Sequence, residues 1–321
     1  MADLVAKNSR ICLFYSTFAE NGEHMEDRTM LNINDILRVR ANNPEPTEVG
    51  EVRNLITESF KDLMFVEDGH KYYIKKGRKK IELPSVSSVI ERWVPYVDWD
   101  AKAEEKAIRI GTTKEELLKE WHENNIISTS CGSKTHFFGE NAMNMFIGRE
   151  DLTRQNMPFQ YTEDGYLIPY CPKEWAVTKY YLDILSNPNV YPVMPEARLY
   201  TNYNGKYTLK TPYAGTFDML MAYRVRGEIV FAIHDWKTNQ DIYKDFARKY
   251  NTMMLEPFGS MGFFEEAFSH YCIQLSLYQI GLMQLGIKIV DRQLIWLKDD
   301  GTYEKVKTPD LTETLLDLMC Q

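Results

Sequence analysis

The chain is poor in cysteine, and the five it has, Cys12, Cys131, Cys171, Cys272 and Cys320, are odd in number, far apart and never spaced CxxC. They read as reduced thiols and argue against a zinc knuckle. No window approaches the ~18 to 20 consecutive apolar residues that cross a bilayer. The start, MADLVAKNSR, has no basic-then-apolar signal pattern, so a soluble protein in the cytoplasm, with no membrane partner, is expected. No GxxxxGK[ST] stretch occurs, so a nucleotide-driven motor of that type would have to be another polypeptide. Internal repeats and low-complexity tracts are also missing. Positive charge is in deficit: the formal net charge of −8 argues against coating nucleic acid through bulk electrostatics. What remains, 44% hydrophobic and 26% charged residues, is ordinary globular material and not the composition of a disordered chain.

Local charge departs from the total. HKYYIKKGRKKIE packs Lys71, Lys75, Lys76, Arg78, Lys79 and Lys80 around two tyrosines and a turn glycine. Two readings stand side by side: a hairpin that contacts phosphates, or a solvated hairpin whose lysines discourage edge pairing. Residues 1 to about 60 are polar, include the turn-rich ANNPEPTEVGE, and show one amphipathic piece around Ile33 to Val39; they read as a small accessory region. Leu63 to Leu83 has a β-hairpin pattern, and LPSVSSVIERW then starts a helix with serines available as N-caps. Lys102 to Asn124 predicts a charged helix or helix pair. Ser128 to Ser130 are expected to cap a helix running through Phe146, and Pro172 opens the next helix, KEWAVTKYYLDIL. Strands follow around Glu196, from Thr216 and from Glu228. After the helix FFEEAFSHYCIQLSLYQIGLMQL comes a last strand near Leu294. This order predicts an α/β fold with a mixed central sheet flanked by helices.

The strand IHDWKTNQ is unusual in ending an apolar run with Asp235, Trp236 and Lys237. Only Arg226 and Gly227 separate Val225 from Glu228, so the flanking strands join as a tight antiparallel hairpin. If Val225 faces Glu228, Asp218 falls opposite Asp235, with Cβ atoms ~4.5 to 5.5 Å apart. Such a pair must raise a pKa or recruit a cation, and its oxygens suit Mg²⁺ or Mn²⁺. Alternation places Lys237 on the face of Asp235 and points His234 and Trp236 the other way. A divalent ion there could activate water while Lys237 steadies developing charge, which fits phosphodiester hydrolysis. A bulge after Gly227 would shift this register by one.

These residues resemble the PD-(D/E)XK nuclease superfamily, in its RecB-like and lambda-exonuclease-like branch. GSKTH (Gly132, His136) looks like the GxxxH helix, and Glu196 sits at the place of the upstream acid. AGTFD ends in Asp218, IHDWKT supplies Asp235 and Lys237, and QLSLY (Gln274, Tyr278) looks like QxxxY. FVEDGHKYYI…LPSVSSVI is similar to the leader of many phage-type members. The likeness runs from about Leu63 to Leu297. It implies a restriction-endonuclease-like core over 61–321 after an accessory region 1–60, and metal ligands Asp218, Asp235, His136 and the Trp236 carbonyl. Lys237 would be catalytic, with Glu196 orienting it or a water. Gln274 and Tyr278, one helical turn apart, would reach the same phosphate or the lysine. DNA contacts would come from these two and from Lys75, Lys76, Arg78, Lys79 and Lys80. Gly215 reads as a place of close backbone approach, or as a plain turn glycine. Some relatives carry a four-cysteine iron–sulfur cluster; the cysteine spacing here predicts none. The implied activity is an Mg²⁺- or Mn²⁺-dependent exonuclease on linear DNA ends, with a single-strand-annealing or helicase partner. A structure-selective endonuclease and a catalytically idle DNA-end-binding module are the alternatives.

Overall fold

The computed structural model describes residues 33–149, 160–161, 167–169, 171–203 and 207–320. Cys12 and the rest of 1–32 lie outside the described residues. Helix α1 (Ile33–Asn42) covers the amphipathic piece. The stretch ANNPEPTEVGE is not all turn, however, because Pro46 is the N-cap residue of a second helix, α2 (Thr47–Ser59). Proline is tolerated at that end, where the missing N–H would have no helical partner. Val49 and Ile56 of α2 enter the main core, and the Arg53 guanidinium donates to the carbonyls of Pro192 and Val193.

The segment from Leu63 to Leu83 is three strands and not a simple hairpin: β1 (Leu63–Val66), β2 (Lys71–Lys76) and β3 (Lys79–Leu83), antiparallel in that order. Ser85 then caps α3 (Val86–Ile90), its hydroxyl accepting the Ser88 N–H at 3.1 Å, as the serine cluster suggests. Two helices follow, α4 (Trp99–Ile110) and α5 (Lys114–Phe146). Here the sequence expectation fails: Ser128 to Ser130 cap nothing and sit inside one 33-residue helix. The start is fixed at Thr113, whose side chain accepts the Glu116 N–H while Glu116 accepts the Thr113 N–H. That reciprocal box in TKEE outranks three mid-helix hydroxyls, because no proline interrupts the run.

After the short strands β4 (Gln160–Tyr161) and β5 (Leu167–Ile168), α6 (Pro172–Leu185) opens on its proline. The main sheet is built from β6 (Val190–Tyr200), β7 (Ala214–Val225), β8 (Glu228–Lys237), β9 (Ile289–Leu297) and β10 (Tyr303–Lys307). Helices α7 (Asp245–Lys249) and α8 (Ala267–Met283) lie between β8 and β9, and α9 (Thr312–Cys320) ends the described chain. The strand order is β10-β9-β8-β7-β6, with β8 and β9 parallel and the other pairs antiparallel. The fold is therefore α/β with a mixed sheet, as expected; β10 and α9 had not been anticipated. One face of the sheet buries α8, α2, α3 and the three-stranded sheet, while the other buries α6 and the end of α5 around Trp236. Among the described residues, no helix is long and apolar enough to cross a membrane.

Candidate functional site

Arg226 and Gly227 both have positive φ, 53° and 88°, the type I′ geometry that matches strand twist. Val225 faces Glu228, and the ladder continues without a bulge to Met219 opposite His234. One step further, the same count sets Asp218 against Asp235. Regular pairing stops there, and Asp218 Oδ2 instead accepts the Trp236 N–H at 2.6 Å. On the other side of β7, the pairs Pro195↔Met219 and Ala197↔Phe217 bracket Glu196 opposite Asp218. Glu196 has φ 45°, a left-handed conformation costing about 1 to 3 kcal/mol for such a residue. Three carboxylates thus occupy one row across β6, β7 and β8, at the point where both ladders break.

Two cations close on this row. His136 Nδ1, from α5, lies 3.2 Å from Asp218 Oδ1 and 3.7 Å from Glu196 Oε1. Lys237 Nζ pairs with Asp235 Oδ2. Lys237 also donates to Gln274 Oε1 at 3.3 Å, and Gln274 Nε2 donates to the Tyr278 hydroxyl at 2.9 Å. Gln274 and Tyr278 share a helix face, and of the two it is Gln274 that reaches the lysine. Glu196 sits with His136 and Asp218. His136, Glu196 and Asp218 each offer one ligand atom, all within 4.8 Å of one another. Asp235 stands outside that trio, drawn to Lys237. Trp236 joins the site through its backbone, while its ring is buried behind the sheet against Tyr180 and Tyr181.

The electrostatics follow from packing. Burial opposes charge on both aspartates, but it is outweighed at Asp218, where His136 and Lys237 hold the carboxyl below the usual carboxylate range. At Asp235, burial and the neighbouring Asp218 dominate and push the carboxyl up to about 7. Burial would lower His136, yet Asp218 and Glu196 overcome it and raise the imidazole to about 10. Burial likewise works against the Lys237 ammonium, and Asp235, Tyr271 and Asp218 more than compensate, holding it above its ordinary value. Tyr278 is raised well above its ordinary value by burial.

Glycines set the approach of the helices. A Cβ at Gly139 would stand 2.8 Å from Trp236 Nε1, and one at Gly132 3.1 Å from Thr238 Oγ1, so α5 rides directly on the end of β8. At Gly215 a Cβ would meet Tyr278 Cε1 at 2.7 Å and Val86 Cγ2 at 2.8 Å. Gly215 is therefore a close-approach glycine and no turn residue. One site residue was missed from sequence: Tyr271, whose ring centroid lies 4.1 Å from Lys237 Nζ and whose hydroxyl donates to Asn239 Oδ1 at 2.6 Å. Its place three residues before Gln274, on the same helix face, was the available signal. Of the basic residues, Lys75, Lys76, Lys79 and Lys80 lie on β2 and β3 and Arg78 in the turn between them.

No family model matches the chain, and no curated protein matches it significantly. Chemically, the arrangement offers a hard, anionic ligand set beside an amine whose charge its acidic neighbours favour.

Proposed function

We propose that this chain is a divalent-metal-dependent deoxyribonuclease of the PD-(D/E)XK type, with a restriction-endonuclease-like core, acting as an exonuclease on DNA ends in phage-type recombination, replication or repair. The observation that carries the reading is the row Glu196, Asp218, Asp235 with Lys237 Nζ on its last member and His136 on the first two. The row fits a metal. Asp235 Oδ2 is buried and, beyond its ion contact with Lys237, accepts no regular hydrogen bond, and the carboxylates supply the hard oxygens that Mg²⁺ or Mn²⁺ take. Asp218, Glu196 and His136 would hold the ion, with Asp235 and the Trp236 carbonyl completing the set. Bound there, it would lower the pKa of a water and neutralise charge on the phosphoryl oxygens.

The chain's own residues do the rest. Lys237, kept protonated by Asp235 despite burial, points an ammonium where charge develops on the phosphate. Gln274 holds that ammonium in place. The Tyr278 hydroxyl accepts from Gln274, so its own proton is available to donate to a phosphate oxygen. The ring of Tyr271 packs against the lysine and limits its rotamers.

The test is incubation of end-labelled linear DNA and of closed circular DNA with Mg²⁺, and separately with EDTA. Metal-dependent shortening of the linear DNA alone is expected. Cleaved circles would favour a structure-selective endonuclease, and a metal-independent mobility shift without cleavage would favour an idle end-binding module. An RNA strand carried in parallel reads the choice of sugar.

A further inference from the structure

We propose that the ribbon formed by residues 75–80 is a second, non-catalytic binding site that grips backbone phosphates of the nucleic acid several nucleotides from the bond being cut; the identity of the polyanion rests on the nuclease reading above. Strand β2 pairs with β1 only from Lys71 to Ile74, but it continues against β3 to Lys76↔Lys79. Apart from one bond from the Lys75 N–H to the Asp62 carbonyl at 3.3 Å, residues 75–80 form a two-stranded projection beyond the end of β1, turned by Gly77 at φ 61°. Lys75 and all of 77–82 are exposed.

The register makes this ribbon costly by itself. Lys75 faces Lys80, and Lys76 faces Lys79. Like charges directly opposite each other are destabilising, on the order of 0.2–1 kcal/mol per pair, and a two-stranded ribbon has little stability to spare. Among the described residues, no ion pair involves Lys75, Arg78, Lys79 or Lys80. The nearest one joins Lys71 to Glu82 at the ribbon's base. Discouraging edge-to-edge pairing would explain Lys79 and Lys80 on β3, an edge strand. Past the end of β1 both strands are edges, so it would account for Lys75 and Lys76 as well, but not for Arg78, which lies in the turn and offers no edge to pair. In a chain of net charge −8, the exposed cations Lys75, Arg78, Lys79 and Lys80, with no ion pair among the described residues, call for an external polyanion.

The ribbon is also fixed to the strand that carries the site. The Tyr72 and Thr216 hydroxyls lie 3.0 Å apart in a hydrogen bond, and the Pro84 carbonyl accepts the Ala214 N–H at 3.0 Å. Thr216 is two residues before Asp218 on β7. From Tyr72 to Lys76 the strand advances about 13 Å, roughly four nucleotides at the ~3.4 Å rise of a duplex strand. On this proposal a substrate anchored at Lys237 extends beyond the cut nucleotide to meet the ribbon.

The experiment compares wild type with Arg78→Gln/Lys79→Gln/Lys80→Gln and with a charge-retaining Lys79→Arg/Lys80→Arg variant. Anisotropy titrations with 30-nucleotide single strands and duplexes, in EDTA across a salt series, give Kd and its salt slope. Circular dichroism checks that all three share one fold. The neutralised variant is expected to bind at least about tenfold more weakly at 50 mM salt, with a log–log slope shallower by about 2 for single strands and nearer 3 for duplexes. The arginine variant should keep the wild-type slope. An unchanged slope and Kd in the neutralised variant would remove the ribbon from the interface while leaving metal-dependent cleavage, read separately, intact. Loss of slope in the arginine variant as well would mean the ribbon's shape and not its charge matters, and would equally overturn the proposal.

Discussion

Replacing Asp235 with asparagine separates a metal site from a structural ion pair. Asparagine keeps the volume and removes the charge. In the metal-free protein, Asp235 is pushed up to about 7 by burial and by Asp218, and this balance already includes the help of Lys237. An unfolded aspartate ionises near 4. Between these two values, rising pH drives protons off the unfolded chain first, so wild type loses stability across roughly pH 4 to 7 and the variant does not. Each pKa unit is worth about 1.4 kcal/mol, which caps the relief at about 4 kcal/mol. The opposing cost is an ammonium that loses its partner; a fully broken buried pair costs about 3–5 kcal/mol. Lys237 is not left alone, however, because Gln274 Oε1 at 3.3 Å, the Tyr271 ring and the charge of Asp218 remain. Asp235→Asn is therefore expected to melt at or above wild type in EDTA at pH 8, and to lose that advantage at pH 5. With saturating Mg²⁺ the order should reverse, since only wild type gains the full RT ln(1 + [L]/Kd) of ligand stabilisation. Cleavage should be abolished. Thermal melts at both pH values, with and without metal, measure all of this. A variant melting well below wild type at pH 8 in EDTA would show Asp235 to be the structural counter-ion of Lys237, and the metal account would fail.

Lys237→Ala should lower kcat by about 10²–10³ while a filter-binding assay still detects DNA; equal losses in binding and turnover would contradict a role confined to the transition state. Tyr278→Phe removes an acceptor from Gln274 and should cost about 1 kcal/mol in stability, with kcat falling more than KM changes. Gly139→Ala drives a methyl against Trp236 Nε1, inside a packed aromatic cluster, and is expected to destabilise by about 1–3 kcal/mol in a denaturant melt. Gly215→Ala should do the same through Tyr278 and Val86, and, unlike Gly139→Ala, should also displace the tyrosine and reduce cleavage per folded molecule.

How far the sequence carries depends on whether a register can be counted. Across Arg226 and Gly227 it can: two turn residues fix the pairing, and the count sets Asp218 against Asp235, one step past the last paired residues, Met219 and His234. Across the connection from Tyr200 to Ala214 it cannot, and the alignment of β6 is further offset by the irregularity between Pro192 and Met194. So Glu196 was visible as a nearby acid but not as the residue facing Asp218, and its left-handed backbone was invisible. The helix pair Gln274 and Tyr278 needed only the 3.6-residue period. The length of α5 was misjudged because three serines resemble a cap; the decisive cue, Thr113 with Glu116, lay fifteen residues earlier. Gly139 was passed over because a glycine inside a helix gives no hint of what packs on it.

A purely structural origin for the carboxylate row is physically weak. Moving an ion out of water costs several kcal/mol even after relaxation, and a buried ion pair seldom outperforms hydrophobic residues of the same size. Here three carboxylates crowd around two cations, His136 and Lys237, and burial together with Asp218 pushes Asp235 up to about 7. Glu196 adds backbone strain, and Asp235 keeps an oxygen without a regular hydrogen bond. A fold selected only for stability would replace such a row, and the surrounding aromatics Tyr180, Tyr181, Trp236 and Phe217 show that large apolar side chains already pack close by. On the reading proposed above, the row is set up for something that arrives later, and clustered acidic oxygens favour a cation. A triple variant Glu196→Gln/Asp218→Asn/Asp235→Asn should then be more stable than wild type in EDTA at pH 8 and indifferent to Mg²⁺; a variant that failed to fold would make the acids part of the scaffold.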